Sequence, residues 1–216
     1  MSPLETLGFA LGTSFASGLN VYLTVAAAGL LQRLGLIQLP DSLQVLANPV
    51  VLRLAGVLFV IEFIADKIPY VDTAWDAVHT FIRPPAAAVL SYSAFGQVPE
   101  EWRVGAALLA GGVALTSHGA KATSRVAANT SPEPVSNWTL SVLEDGVVLF
   151  LTWMAAAHPV ITGMIVVVLV ILAVMVIWKL YGYFKVIRAR LRRGQKTDRA
   201  EMAERAEKNL AADERR

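Results

Sequence analysis

The chain has 216 residues, 55% of them hydrophobic, a mean hydropathy of +0.53 and a formal net charge of +2. Soluble domains are about 45–50% apolar, so the composition excludes an ordinary water-borne globule. It points instead to one all-α bundle in lipid, with room for roughly six crossings at about 20 apolar residues each. The absence of cysteine excludes disulfides, thiolate catalysis and cysteine-bound metal.

The N-terminus lacks the basic region of a secretory signal, since Glu5 is the only charge before Arg33, and it reads as a retained membrane helix. Residues 6–32 are uncharged but interrupted by Gly8, Gly12, Ser17-Gly18-Leu19-Asn20 and Gly29; one helix spans here, with a break at Gly18 and Asn20. Pro40 and Asp41 mark a loop. The second span covers residues 43–65, with Asn48 as cap and Pro49 in the first turn, and Pro69 stops it. Residues 72–82 are polar at helical spacing, and Arg83-Pro84-Pro85 opens a third span, short or re-entrant, that ends at Pro99.

The fourth helix starts at Val104 and is rich in Gly and Ala, which lets helix backbones approach closely in lipid. After a loop over 129–137, the fifth helix runs from Trp138 to Ala157 with Glu144-Asp145 in its path. Val160 to Trp178, nineteen residues without a charge, is the sixth. Residues 188–216 mix ten bases with six acids and read as a charged cytosolic tail, helical in its spacing, behind a transmembrane domain of residues 1–187. Twelve of the nineteen Lys and Arg residues lie from Lys179 onward, which holds that end in the cytoplasm. Six crossings then put both termini there, in a bacterial-type inner (plasma) membrane.

Ionisable groups at membrane depth cost roughly 2.5–3.5 kcal/mol each, so they persist where they pair or line a polar cavity. Glu62 and Asp66 share a helix face, with Lys67 adjacent. They bind a cation or exchange a proton, or they form ion pairs with Lys67, Lys121 or Arg125 that only fix packing. Asp72, Asp76, His79 or Thr80, and Arg83 step along a second face, read either as a solvated, cytosol-facing surface or, with Asn129, as the cytoplasmic mouth of a pathway. His118, Lys121 and Arg125 repeat the spacing with opposite sign; they grip an anionic headgroup or phosphate, or compensate the acidic pair. Ser141 with Glu144 and Asp145 places two carboxylates inside a span, the costliest position in the chain. There is no Gly-x-Ser-x-Gly elbow, His-Glu-x-x-His pair or phosphate-binding Gly loop, and the three histidines are scattered at 79, 118 and 158. Enzyme activity, catalytic residues, a cofactor and a metal ion are therefore not expected.

The run Glu62-Phe63-Ile64-Ala65-Asp66-Lys67-Ile68-Pro69 is followed by Asp72, Asp76 and Arg83-Pro84, and preceded by Ser17-Gly18-Leu19-Asn20. With His118, Lys121, Arg125, Asn129, Ser136-Asn137, Ser141 and Glu144-Asp145, this pattern resembles the family of bacterial membrane proteins catalogued as domain of unknown function 4126. The resemblance covers roughly residues 5 to 160. It implies a membrane protein and names no activity. The Glu-x-x-x-Asp-Lys element is also loosely similar to the Glu-x-Gly-Asp-Lys motif of small cation exchangers, with Ala65 in place of the glycine and one more residue in the spacing.

The residues thus predict a small transporter or channel-like protein whose pocket is built from Glu62, Asp66, Lys67, His118, Lys121, Arg125, Ser141, Glu144 and Asp145. Two other readings stand beside it: a protein that handles an anionic lipid or isoprenoid phosphate, and a scaffold that transports nothing. The expected partners are the bilayer, an anionic lipid at the basic tail and a second copy of the chain, with no nucleic acid.

Overall fold

Each helix begins where the sequence supplies the chemistry to start one. In this computed structural model, α1 (Pro3–Arg33) opens with a capping box: Glu5 N donates to Ser2 Oγ at 3.3 Å and Ser2 N donates to Glu5 Oε2 at 2.6 Å. A 3-10 turn (Asp41–Ala47) leads into α2 (Pro49–Ala65), where Asn48 Oδ1 accepts from Val50 N at 2.8 Å. α3 (Val71–His79) follows Tyr70, whose φ of +70° turns the chain sharply after α2. α4 (Arg83–Ala94) carries Pro84 and Pro85 in its first turn, where a missing N–H breaks no helical bond. α5 (Glu100–Ala128) sets Glu100 and Glu101 at the positive end of its dipole. α6 (Pro134–Ala157) and α7 (Pro159–Asp213) complete the order, and no strand occurs among the described residues.

The structure describes residues 1–68, 70–96, 98–129 and 134–213, and side chains through 186 apart from those of 134–137. Ser136, Asn137 and the charged side chains of 188–216, on which an anionic-lipid partner was expected, lie outside the described side chains. The chain divides into two compact units, Met1–Ile177 and Trp178–Arg216.

Within the first unit, α1 is the central element, packed against α2, α4, α5 and α6. Its buried residues include Phe15, Ala16, Leu19 and Leu23, which meet Val113, Val148, Leu151 and Val166 in one apolar core. The outer surface is apolar as well: Val57, Val60 and Ile61 of α2, Leu108 and Leu115 of α5, Phe150 of α6 and Val167 and Ile171 of α7 are all exposed. Meanwhile Glu62, Asp72, Arg83 and Arg125 are 0% exposed. Charges inside and large aliphatic side chains outside invert the pattern of a soluble protein and match a lipid solvent.

α1 is not one straight rod. Asn20 leaves the helical region with φ −154° and ψ 99°. The chain turns back there, because Phe9 and Thr13 from the first half line a single small cavity with Thr24, Val25 and Ala28 from the second. A straight helix would hold Phe9 and Ala28 roughly 28 Å apart at 1.5 Å per residue. Asn20 starts the second half as its cap, with its Oδ1 accepting from Leu23 N at 2.9 Å. The break expected at Gly18 and Asn20 is therefore a reversal, with its tip at Asn20.

By length and composition three helices among the described residues suffice to cross a membrane, Pro3–Arg33, Trp138–Ala157 and Pro159–Val186, although the first turns back at Asn20 and does not cross as one rod, and the 3-10 turn with α2, bent by 65°, makes a fourth if counted as one span. Apolar runs in the sequence predict six. α4, with 12 residues, reaches about 18 Å, short of the roughly 30 Å hydrocarbon core. α5 has the length, at 29 residues, but not the apolar composition to qualify.

The two ends of the unit differ. At one end the backbone of Pro159 presses on Gly8 and that of Leu46 on Gly29. At the other, Ile177 of α7 meets Gly119, beside His118 and two residues from Lys121. Within this unit, residue 8 lies where α7 begins and residue 177 is carried to the opposite end.

Candidate functional site

The charged residues gather at the end where α1 reverses. Lys121 Nζ is shared by three carboxylates from two stretches of chain: it lies 2.7 Å from Asp66 Oδ2, 3.6 Å from Glu62 Oε1 and 3.8 Å from Glu144 Oε2. Arg125 Nη2 reaches Glu144 Oε2 at 2.6 Å and Asp66 Oδ2 at 3.3 Å, while its Nη1 donates to the carbonyl of Asp66 at 2.6 Å. Arg83 Nη2 reaches Glu62 Oε1 at 2.7 Å, and its Nη1 lies 3.2 Å from Asp76 Oδ1. These seven contacts join Glu62, Asp66, Asp76 and Glu144 to Arg83, Lys121 and Arg125 in one buried network, four acids to three bases.

Helical spacing produces this convergence. Glu62 and Asp66, one turn apart, present both carboxylates from the last turn of α2. His118, Lys121 and Arg125 do the same along α5, so an acidic helix end lies against a basic helix face. Arg83 enters from the first turn of α4, and Glu144 from α6.

The reversal in α1 supplies the remaining partners. Where the helical bonding stops, freed carbonyls turn to the bases: Arg83 Nη1 donates to Gly18 O and Lys121 Nζ donates to Leu19 O, each at 3.2 Å. On the far side of the break, Asn20 Nδ2 donates to Asp145 Oδ1 at 3.2 Å. The negative end of the first half-helix thus meets cations and the positive end of the second meets a carboxylate, each the favourable sense for a helix dipole. Gly18 is required for this approach, because a Cβ there would collide with Ser117 Oγ and the carbonyl of Ala114.

Two histidines have their tautomers fixed by their neighbours. Arg83 Nη1 lies 2.6 Å from His118 Nδ1 and can only donate, so Nδ1 carries the lone pair and Nε2–H donates to Thr80 Oγ1 at 2.9 Å. Thr80 Oγ1 in turn donates to the carbonyl of Asp76 at 3.0 Å. His79 Nδ1–H donates to Trp75 O at 2.8 Å, so its Nε2 accepts from the Tyr22 hydroxyl at 3.2 Å, and Trp75 stacks on the ring.

Asp76 is the least compensated member of the network. Its Oδ1 meets Arg83 without hydrogen-bond alignment, and neither carboxylate oxygen has a hydrogen-bond partner among the described residues. Glu62 Oε2 and Asp66 Oδ1 are also buried without one. α3, nine residues long, is too short to cross a membrane. Burial there pushes the Asp76 carboxyl up to about 6, with Lys121 and Arg83 opposing and Asp66 and Glu144 adding to the rise.

The other predicted positions fall around this network. Among the described residues Lys67 makes no ion pair: Nζ donates to Phe63 O at 3.1 Å, lies over the Phe63 ring and meets Ser141 Oγ at 3.5 Å. Asn129 Nδ2 reaches Asp72 Oδ1 at 2.9 Å and Thr73 Oγ1 at 3.0 Å, tying the end of α5 to the start of α3. The reading of Asp72, Asp76, His79 and Arg83 as a solvated face is overturned, since each is at most 2% exposed. The physical reason is that this face of α3, with Arg83 just beyond it, packs inward on α5 and on the tip of α1. Sequence reasoning did not find Tyr22, Trp75 or Ser117, nor the carbonyls of Gly18 and Leu19 as acceptors. Only the local Gly-Leu-Asn interruption hinted at the last two.

Among the described residues, no group of three or more His, Asp or Glu side chains is arranged to hold a metal ion. In comparison with known proteins, the model of one family, described as domain of unknown function (DUF4126), matches residues 7–179. No curated protein and no solved structure matches the chain.

Proposed function

The chain belongs to this family of unknown function, whose description assigns no activity, and from the site itself we propose a small integral membrane transporter or channel-like protein that moves a proton or small cation through the buried charge network. One observation supports the reading above the others: among the described residues four carboxylates share three bases, an excess of one negative charge in the network. Asp145 and Lys67 add one charge of each sign and leave the excess unchanged. A cluster that only clamped helices together would gain by balancing its charges, because an uncompensated buried charge costs several kcal/mol. An exchangeable positive charge, a proton or a small cation, balances it.

The same count weighs against the anionic-lipid reading at this site. Arg83, Lys121 and Arg125 are each already held by carboxylates, and a phosphate would enter a site of its own sign. The scaffold reading draws on the short, buried bridges themselves. We place the protein in the inner (plasma) membrane as a multi-pass protein with its basic tail in the cytoplasm, on the strength of the lysines and arginines that follow the last apolar run.

The test is flux into proteoliposomes, with protons, sodium and potassium offered separately, for wild type, Glu62→Gln and Glu144→Gln. Loss of flux in either variant supports the proposal. Wild-type rates in both would remove the carboxylates from the mechanism, and an absence of flux in the wild type itself would favour the scaffold.

A further inference from the structure

The excess charge raises the question of which carboxylate accommodates it. Asp66 faces Lys121 at 2.7 Å and Arg125 at 3.3 Å, Glu144 faces Arg125 at 2.6 Å, and Glu62 faces Arg83 at 2.7 Å. Asp76 has only a misaligned contact with Arg83 Nη1, and that nitrogen already serves Gly18 O and His118 Nδ1. Its two carboxylate oxygens are buried without hydrogen-bond partners among the described residues. An ionised carboxylate in that setting loses the hydration it has in water and gains little in return, whereas the neutral acid carries its own donor.

The other groups around Asp76 reinforce this choice. Arg83 of α4 and Lys121 of α5 pull toward the ionised form, while Asp66 after α2 and Glu144 of α6 push toward the neutral one. Glu62 competes for the same guanidinium, and His118 of α5 touches α3 as a hydrogen-bond donor to Thr80. His79, on the same helix, is turned to Tyr22 and Trp75.

We infer that Asp76 is the group in the network that takes up and releases a proton, the neutral acid being the form in which acids and bases balance. The proton comes from and returns to bulk water, with no other bond made or broken. This inference rests on the network's being the working part of the protein. Its test does not require transport.

The test is infrared difference spectroscopy of the full chain in lipid nanodiscs, titrated from about pH 8 to about pH 4.5, a range that spans a raised aspartate value and stops above the ordinary one of about 3.9. A protonated-carboxyl band should grow with a midpoint at about pH 6, shift on carbon-13 labelling of aspartate, and vanish in Asp76→Asn. In Asp76→Glu, which keeps the acid if the asparagine variant fails to fold, sensitivity to the label should pass from aspartate to glutamate. A band that follows labelled glutamate in wild type, that keeps its aspartate sensitivity in Asp76→Glu, or that never appears in this range overturns the inference. If the band behaves as expected while proteoliposomes show no flux, the inference on Asp76 stands and the transport reading falls.

Discussion

Arg83 and Glu62, from the first turn of α4 and the last turn of α2, meet at 2.7 Å with neither side chain exposed to solvent. The guanidinium also holds the tip of α1 through Gly18 O and fixes His118. One side chain thereby ties four helices together. Arg83→Met should cost about 3–5 kcal/mol of stability, the usual result of leaving a buried charge without its partner. Adding Glu62→Gln should return part of that loss, since the orphaned charge is then gone, and a coupling of roughly 0.5–3 kcal/mol is expected between groups in such contact. Unfolding of both variants in the same detergent measures it; strictly additive losses would show that the pair does not act as a pair.

The burial of Asp76 makes stability depend on pH in a definite direction. Its folded value, pushed up to about 6, exceeds the roughly 3.9 of a free aspartate, so the folded protein holds more proton than the unfolded chain between these values. Stability from this group is then fully present below about pH 4 and is lost as pH rises through about 6. Asp76→Asn, which keeps the shape and removes the charge, should be more stable than wild type at pH 8 by roughly 1–3 kcal/mol, and the gain should fade toward pH 4. Thermal unfolding at both pH values checks this, and an equal effect at the two would contradict it.

The glycines of α1 should not be interchangeable with those on the lipid-facing surface. A Cβ on Gly8 would strike the carbonyl of Pro159 and one on Gly18 the carbonyl of Ala114, in both cases backbone that cannot rotate aside, whereas Gly56 and Gly112 face open space. Gly8→Ala and Gly18→Ala should each cost about 1–3 kcal/mol through forced helix separation. Gly56→Ala and Gly112→Ala should be neutral or slightly stabilising, since alanine is the better helix former. Melting temperatures of the four variants, measured side by side, decide the matter.

The membrane character was legible because it depends on composition, and the charged residues that meet in the network were legible because each breaks an apolar run. Charges with nowhere else to go in lipid tend to find one another, which is why Glu62, Asp66, Lys121, Arg125 and Glu144 could be named together before any geometry was known. The reversal of α1 was not legible: hydropathy over residues 6–32 reports that the stretch is apolar, but not that it turns back on itself at Asn20. Nor does periodicity say what a helix face meets. The spacing of Asp72, Asp76, His79 and Arg83 defined a face correctly, yet whether water or α5 covered it depended on a tertiary contact. The same holds for the carbonyls of Gly18 and Leu19, which become acceptors only because the helix breaks there.

A buried network that conducts a proton or small cation carries current, and that current can be read without knowing the ion in advance. Wild-type protein reconstituted on a solid-supported membrane should give a transient current on a pH step or a cation step, with its sign reversing when the gradient is reversed and its size falling in Glu62→Gln. A trace that matches protein-free membranes under every gradient would contradict the account.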